Sequence, residues 1–420
     1  MNLLLVVLDS VRAANCSLYG YPRQTTPTLE SLADEATVYE QARAPSNWSL
    51  PSHVSLFTGL QTSAHRVTVH DALEPGHTVW DDFADAGYDT GLFTENGFVA
   101  SHPAGLDEPF DTVVTVPDGE YPEGQRPDGF YYADAMLDWT SERDEWAACL
   151  NLMDAHRPYQ PAQEYDHWGD RDARRLQADL PIRWEFPVHG GDVPYWHLSG
   201  LESLYDGGIR QADAVLGTVV ERLRARGEYD DTLLIVCGDH GEGFGEFGRL
   251  SGQPRAAAHI VPTTESLLHV PLVVKRPRQR EGRTVTDPAA LTAIPQVANA
   301  AREGHRTTCA REQVLASKQP VTGELRRRYE SAVTDPGPFF RESRVVYEQT
   351  PSGVRKTYSW GDAVGTVQVP RAGSVGQPSD RGRDRLSAAF RPVEAAGVRQ
   401  VGRGEPADET KEQLAALGYF

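Results

Sequence analysis

The residues best suited to chemistry are spread along the whole chain. Ser49 opens the run Ser49-Leu-Pro-Ser-His-Val-Ser-Leu-Phe-Thr-Gly59. Pro51 suits a first helical position, Ser49 or Leu50 sits at or before the cap, and Gly59 closes the run. A hydroxyl there faces open backbone N–H groups and the positive end of the helix dipole. That environment favours an anion, or a serine that attacks one. Taken alone, Ser49 would be explained as an N-cap. His53 follows one turn later and reaches the same spot, to hold a substrate oxygen or assist proton transfer.

Asp9 follows the apolar run Leu3–Leu8, and Asp239-His240 follows Thr232–Cys237. Two carboxylates, an imidazole and the Ser49 hydroxyl form an N/O ligand set for one divalent cation. Histidine is a borderline ligand, so Mn²⁺ or Zn²⁺ is favoured and Ca²⁺ or Mg²⁺ less so. Such an ion would lower the pKa of Ser49 and neutralise an oxygen of the incoming ester. His156 and His259 follow other strand ends. They suit binding of anionic oxygens, or protonation of a leaving group near neutral pH.

The elements that must position these groups alternate between strand and helix. Leu3–Leu8 reads as a strand buried on both faces. Thr26-Pro27 opens a helix. Val79–Ala86 reads as a helix, Asp89–Thr94 as a strand with Glu95, Asn96 and Gly97 at its end, Tyr131–Trp139 as a helix and Trp146–Met153 as a strand. Leu201–Arg226 is the clearest helix and Gly227 suits its exit. Thr232–Cys237 and Val270–Val274 are buried-type strands. The alternation predicts a largely parallel, doubly wound sheet with strand ends along one edge. Residues 160–198 are the least legible stretch. A Pro/Arg cluster marks a boundary near 275–282, and Arg344–Gln349, Val354–Ser359 and Val367–Val369 read as a small antiparallel unit. Residues 370–408 read as poor in core formers and mobile in part, and Thr410–Leu417 as a helix.

The chain has 420 residues and a formal net charge of -19. That length suits one large α/β domain with a smaller one. The charge argues against nucleic acid or an anionic membrane as partner. Lysine occurs only at Lys275, Lys318, Lys356 and Lys411. Many carboxylates with few lysines resemble proteins of salt-loving archaea. Cys16, Cys149, Cys237 and Cys309 lack zinc or redox spacing, which points to a cytoplasmic chain with reduced thiols. No apolar run is long enough to span a membrane. Oligomeric state is not legible.

At these residues the chain resembles the sulfatase family of the alkaline phosphatase superfamily. The carriers are Leu5-Val-Val-Leu-Asp-Ser-Val-Arg12 with Leu18-Tyr-Gly-Tyr21, Thr26-Pro-Thr-Leu29, the Ser49–Gly59 run, Leu152-Met-Asp-Ala-His-Arg-Pro-Tyr159, Gly238-Asp-His-Gly-Glu-Gly243, His259, Leu267-Leu-His-Val-Pro-Leu-Val273 and Leu414-Ala-Ala-Leu-Gly-Tyr419. The resemblance implies a three-layer α/β sandwich with a large mixed, mainly parallel sheet and a small C-terminal antiparallel subdomain. The expected division is a catalytic core at 1–280, a helical continuation at 281–340, and a subdomain with its tail at 341–420. It implies a metal-dependent hydrolase of a sulfate or phosphate ester, small or sugar-linked, with Ser49 as nucleophile. Phosphodiesterase, phosphonate-ester hydrolase, phosphoglycerol-type transferase and inactive binding protein are the alternatives.

The departures fall at the chemistry. Characterised sulfatases carry Arg four residues after the nucleophile, where the formylglycine-forming enzyme reads it; here that residue is His53. Ser49 is therefore expected to remain serine. Ser10 replaces a second aspartate, and Asp239-His240 replaces Asp-Asn, the pattern of phosphodiesterase-like, phosphonate-ester and phosphoglycerol-transferring relatives.

Overall fold

The computed structural model describes residues 1–116, 128–369, 377–378 and 381–402. Its nine N-terminal strands are β1 (Asn2–Leu8), β2 (Thr37–Arg43), β3 (Asp71–Leu73), β4 (Asp89–Thr94), β5 (Thr112–Val114), β6 (Trp146–Leu152), β7 (Thr232–Cys237), β8 (Leu272–Lys275) and β9 (Arg283–Ala290). Eight of them form one sheet in the order β5-β4-β6-β1-β7-β8-β2-β9. All pairings are parallel except those of β8, which runs antiparallel to both β7 and β2. The sheet is therefore mixed and mainly parallel. Helices cover both faces. Leu3, Leu5 and Val7 of β1 pack into one core cluster, and Leu4, Val6 and Leu8 into the other. Strand alternation puts successive side chains on opposite faces, so one buried run feeds two cores.

The small sheet follows the order β10 (Gln313–Lys318), β11 (Ser343–Thr350), β12 (Gly353–Trp360), β13 (Ala363–Val369) and β14 (Gln377–Pro378). It is antiparallel throughout. Val345, Tyr347 and Trp360 belong to the same cluster as Leu3 and Val7, so the subdomain shares a core with one face of the large sheet.

Several expectations need correction. The stretch 281–340, read as helical, contributes β9 and β10 as well as the helix Ile294–Arg302. β2 was not anticipated either. β9 carries Pro288 and lies at the sheet edge, where a missing N–H is tolerated. Within 370–408, residues Arg381–Phe390 form a helix, and Leu386, Ala389 and Phe390 pack on Val346. Strand β15 (Arg399–Val401) pairs with β3. The helix expected at Thr410–Leu417 and the terminal Leu414–Tyr419 motif lie outside the described residues. Residues 160–198 hold the short helices Arg171–Asp179 and Glu185–Gly190.

Register brings the chemistry to one level. Val7 pairs with both Asn151 and Cys237, and Thr94 pairs with Asn151. The carboxyl ends of β4, β6, β1 and β7 therefore align, and Asp9, Asn96, His156 and Asp239 follow them directly. The long helix Leu198–Arg226 packs against β1. A Cβ on Gly208 would fall 2.4 Å from the Asp154 carbonyl oxygen, so only glycine permits this approach to the loop bearing His156. Asp213 of the same helix accepts the Thr28 and Leu29 N–H groups at 2.8 and 3.1 Å. It supplies the cap of helix Pro27–Ala33 that Thr26 does not.

Tyr205, also on the long helix, ties down the turn after β1. Its hydroxyl donates to the Ser10 carbonyl at 2.7 Å and accepts from the Arg12 N–H at 3.0 Å. The group is fully buried. Tyr205→Phe should cost about 1–3 kcal/mol by leaving both backbone groups unsatisfied. Urea denaturation measures this; wild-type stability would mean the turn is held by other contacts.

Candidate functional site

The helix that carries Ser49 spans Ser49–Thr58, and its N-cap is Trp48, in extended conformation. Ser49 is thus the first helical residue and Pro51 the third, two positions later than expected for the proline. The Ser49 hydroxyl makes no cap. It lies 3.1 Å from Nε2 of His240. Gly59 adopts the left-handed conformation that ends the helix (φ 74°).

The two aspartates meet across the turn after β1. Ser10 sits at φ 62°, an uncommon conformation for a non-glycine residue. Its N–H donates to Asp239 Oδ1 at 3.1 Å, and its hydroxyl donates to Asp9 Oδ1 at 3.2 Å. Ser10 therefore links the two carboxylates. Asn96 donates to Asp9 Oδ2 at 2.8 Å and Asn151 does so at 3.3 Å. Thr94 donates to Asn151 Oδ1 at 2.8 Å, which turns the Asn151 amide N–H₂ toward Asp9 and His53.

The histidine tautomers follow from their carbonyl contacts. Nδ1 of His240 donates to the Gly241 carbonyl at 2.8 Å, so Nε2 carries the lone pair. That atom lies 3.4 Å from Asp239 Oδ2 and 3.7 Å from Asp9 Oδ1. A Cβ on Gly241 would lie 2.0 Å from the Ser266 carbonyl, which fixes glycine after His240. His53 donates from Nδ1 to the Ser49 carbonyl at 3.0 Å and sits 3.5 Å from Asp239 Oδ2. Its Nε2 accepts from Asn151 at 3.3 Å. His53 thus lies among the carboxylates, where its side chain orients them, and not on the side of His156 and His259.

Those two histidines extend the cluster outward. Ring centroids of His240 and His259 are 4.6 Å apart, and those of His259 and His156 are 5.2 Å apart. His259 Nδ1 donates to Glu242 at 3.1 Å, and His156 Nδ1 donates to the Arg157 carbonyl at 2.7 Å. Arg157 is fully buried and reaches Glu185 at 2.6 Å; Arg183 reaches the other oxygen of Glu185 at 2.7 Å. Two guanidiniums share one carboxylate, so a net positive charge stands beside His156 and His259. Asn96, Asn151, Arg157 and Glu242 were not identified as site residues from sequence. The signal was present for Asn96 and Arg157, which follow strand ends, and absent for Asn151, which lies within β6.

All of Asp9, Ser49, His53, His156, Asp239, His240 and His259 are fully buried. Burial raises the Asp9 pKa, but His156, His240 and His53 and the Asn151 hydrogen bond outweigh it and bring it below the usual carboxylate range. Burial and the Asp9 charge push Asp239 well above that range. Burial lowers His240. His259 is lowered well below its ordinary value by burial and by Arg157, His240 and His156. Glu242 is pushed by burial up to about 7.

The residues fit a divalent cation. Ligand atoms of Asp9, His53 and Asp239 lie within 4.8 Å of one another, but both His53 nitrogens are engaged, by the Ser49 carbonyl and Asn151, so the acceptor nitrogen beside the two carboxylates is His240 Nε2. Asp239 Oδ2 is buried and accepts no hydrogen bond among the described residues. Two adjacent buried carboxylates, an acceptor nitrogen and an unfilled carboxylate oxygen are the donor set of a metal centre.

Solved proteins share the fold. The phosphonate monoester hydrolase of Agrobacterium radiobacter is 17% identical, with 99% of this chain and 95% of that one covered and a TM-score of 0.62. A protein solved with its substrate D-glucosamine-2-N,6-O-disulfate is 14% identical, covering 99% and 96%, at TM-score 0.64. The soluble domain of lipooligosaccharide phosphoethanolamine transferase A from Neisseria meningitidis is 20% identical, covering 71% and 86%, at TM-score 0.52. At these identities the likeness shows the fold. Comparison with curated protein sequences found no match. The sequence model of the sulfatase family matches residues 1–301, a span that contains every residue of the cluster, and the chain is a member of that family.

Proposed function

We propose that this chain is a metal-dependent hydrolase of sulfate or phosphate esters that uses Ser49 as its nucleophile. The observation that carries the reading is the Ser49 hydroxyl, 3.1 Å from His240 Nε2 and beside the Asp9–Asp239 pair. Asp9, Asp239, His240 and the Ser49 oxygen would hold one Mn²⁺ or Zn²⁺. When bound, the ion supplies charge neutralisation at an ester oxygen and a lowered pKa at the serine.

The chain's own residues do the rest. With its hydroxyl proton passed to solvent, Ser49 attacks phosphorus or sulfur, forming the Ser49 O–P or O–S bond as the bond to the leaving oxygen breaks. His156, His259 and the net charge of Arg157 and Arg183 over Glu185 bind the tetrahedral oxygens. His259 is neutral at rest. An anionic oxygen against it raises its proton affinity, so it can carry the proton that the leaving oxygen takes. Asn96 and Asn151 aim Asp9, while the imidazoles of His156, His240 and His53, with the Asn151 hydrogen bond, keep it ionised.

A plain serine favours phosphorus over sulfur. A seryl phosphoryl intermediate can be opened by water, whereas formylglycine releases sulfate by elimination, a route serine lacks. The likeness to phosphonate monoester hydrolase fits this preference. Four buried cysteines, none in a disulfide, suit the reducing cytoplasm. Among the described residues no helix is long and apolar enough to cross a membrane.

With Mn²⁺ or Zn²⁺, the protein should turn over an aryl phosphonate, bis-aryl phosphate, aryl phosphate or aryl sulfate. Ser49→Ala should lower that rate by at least about a thousand-fold; unchanged turnover would remove Ser49 from the nucleophile role. Mass spectrometry of the peptide bearing Ser49 should give the unmodified serine mass, and a peptide lighter by two hydrogens would mean formylglycine.

Metal removal has a signed consequence. The raised Asp239 pKa means that ionising it opposes folding, so without metal its contribution worsens as pH rises above the ordinary carboxylate value. At pH 8, metal-free Asp239→Asn should be more stable than metal-free wild type, because the buried amide carries no charge to ionise. It should also lose the stabilisation that Mn²⁺ gives wild type. Chemical denaturation tests both, and a variant less stable without metal would contradict the cation role of this pair.

A further inference from the structure

A second concentration of positive charge lies in a cleft between the core and the small sheet. The cleft has a volume of about 360 Å³. Lys318, Arg66, Arg344 and Arg399 line it, facing one carboxylate, Glu342. In a chain of net charge -19 this is a marked local reversal.

Lys318 ends β10 and is 3% exposed. Its ammonium donates to the carbonyls of Gln319 at 3.2 Å and Arg341 at 2.9 Å, and sits 5.2 Å from the Trp360 ring centroid. No carboxylate stands within ion-pair distance of it among the described residues, and an ammonium has three donors. A buried cation without a paired charge is costly. Burial lowers its pKa to about 7. Ser63 lines the same cleft, and its buried hydroxyl has no hydrogen-bond partner among the described residues.

The rim cations are only partly engaged. Arg344 stacks on Phe390, with its guanidinium carbon 5.6 Å from the ring centroid, and pairs with no carboxylate among the described residues. Among the described residues Arg66, at φ 56°, donates only to the Ser63 carbonyl. Arg399 makes a loose pair with Asp71 at 3.7 Å. A third ammonium donor, an unpartnered hydroxyl and three arginines line one cavity. A tetrahedral oxyanion accepts from such a set, with charge-assisted bonds that compensate the burial of Lys318.

We propose that this cleft is a binding site for a phosphate or sulfate group, free or at the end of a small ester, separate from the centre at Ser49. The wall also touches the segment leading to that serine. Thr62 donates to the Pro45 carbonyl at 3.2 Å, and Ser46 to the Ser317 carbonyl at 3.0 Å. An occupied cleft therefore braces the segment that enters the nucleophile helix.

Crystals of the full chain soaked in millimolar selenate, which mimics sulfate and scatters anomalously, test this. A selenium peak is expected in the cleft, within hydrogen-bond distance of Lys318 Nζ. It should persist in Ser49→Ala and vanish in Lys318→Met and in the exposed-site variant Arg344→Gln. A hexose 6-sulfate soaked in place of selenate distinguishes a free oxyanion from an ester: sugar density in the cleft marks the ester. A cleft empty of selenate, or a peak that survives both cleft variants, would overturn the proposal whatever Ser49 does.

Discussion

Two like charges held together inside the protein set the terms for this site. Asp9 and Asp239 are fully buried, joined through Ser10, and bring their oxygens around the acceptor nitrogen of His240. Water does not screen them, so each opposes ionisation of the other. The chain answers with donors to Asp9 from Asn96 and Asn151 and with imidazoles on three sides. Asp239 is left with one oxygen that accepts no hydrogen bond among the described residues. A cation resolves the conflict more completely than any further hydrogen bond, because it compensates both charges at once.

The rest of the fold can be read as support for that pairing. Parallel register levels the ends of β4, β6, β1 and β7, so residues far apart in sequence emerge side by side. Tyr205 clamps the turn that carries Ser10. Arg12, at the end of the same turn, contacts Glu202, Glu246 and the Glu242 carbonyl, joining it to the long helix and to the segment after His240. Gly208 and Gly241 permit backbone approaches that a side chain would block. The charge then changes sign over a short distance, from paired carboxylates at Asp9 and Asp239 to guanidiniums at Arg157 and Arg183. An ester anion is suited to such a gradient, with its reacting centre between the two.

Much of this was legible in the sequence, for physical reasons. Fully buried parallel strands are continuous apolar runs, so β1, β4, β6 and β7 announced themselves and their ends located Asp9, His156 and Asp239. The three-layer sandwich with a mixed, mainly parallel sheet and a small antiparallel unit followed from alternation and from the family resemblance. β2, with its Tyr-Glu-Gln interior, and the edge strand β9, with Pro288, lack that signature. The direction of β8 was not legible because an apolar run has no polarity. Likewise, i,i+4 spacing put His53 on the Ser49 side of the helix but could not say which partner each nitrogen finds. Asn151 was hidden inside a strand, where a polar residue reads as an exception to the core and not as a ligand's support.

The central claim is that Asp9, Asp239, His240 and Ser49 grip one ion. Anomalous diffraction from crystals grown with Mn²⁺ measures this directly. The account requires a single manganese peak at bonding distance from one oxygen of each aspartate, from His240 Nε2 and from Ser49 Oγ. A peak elsewhere, or none while those side chains keep the positions described, would contradict it.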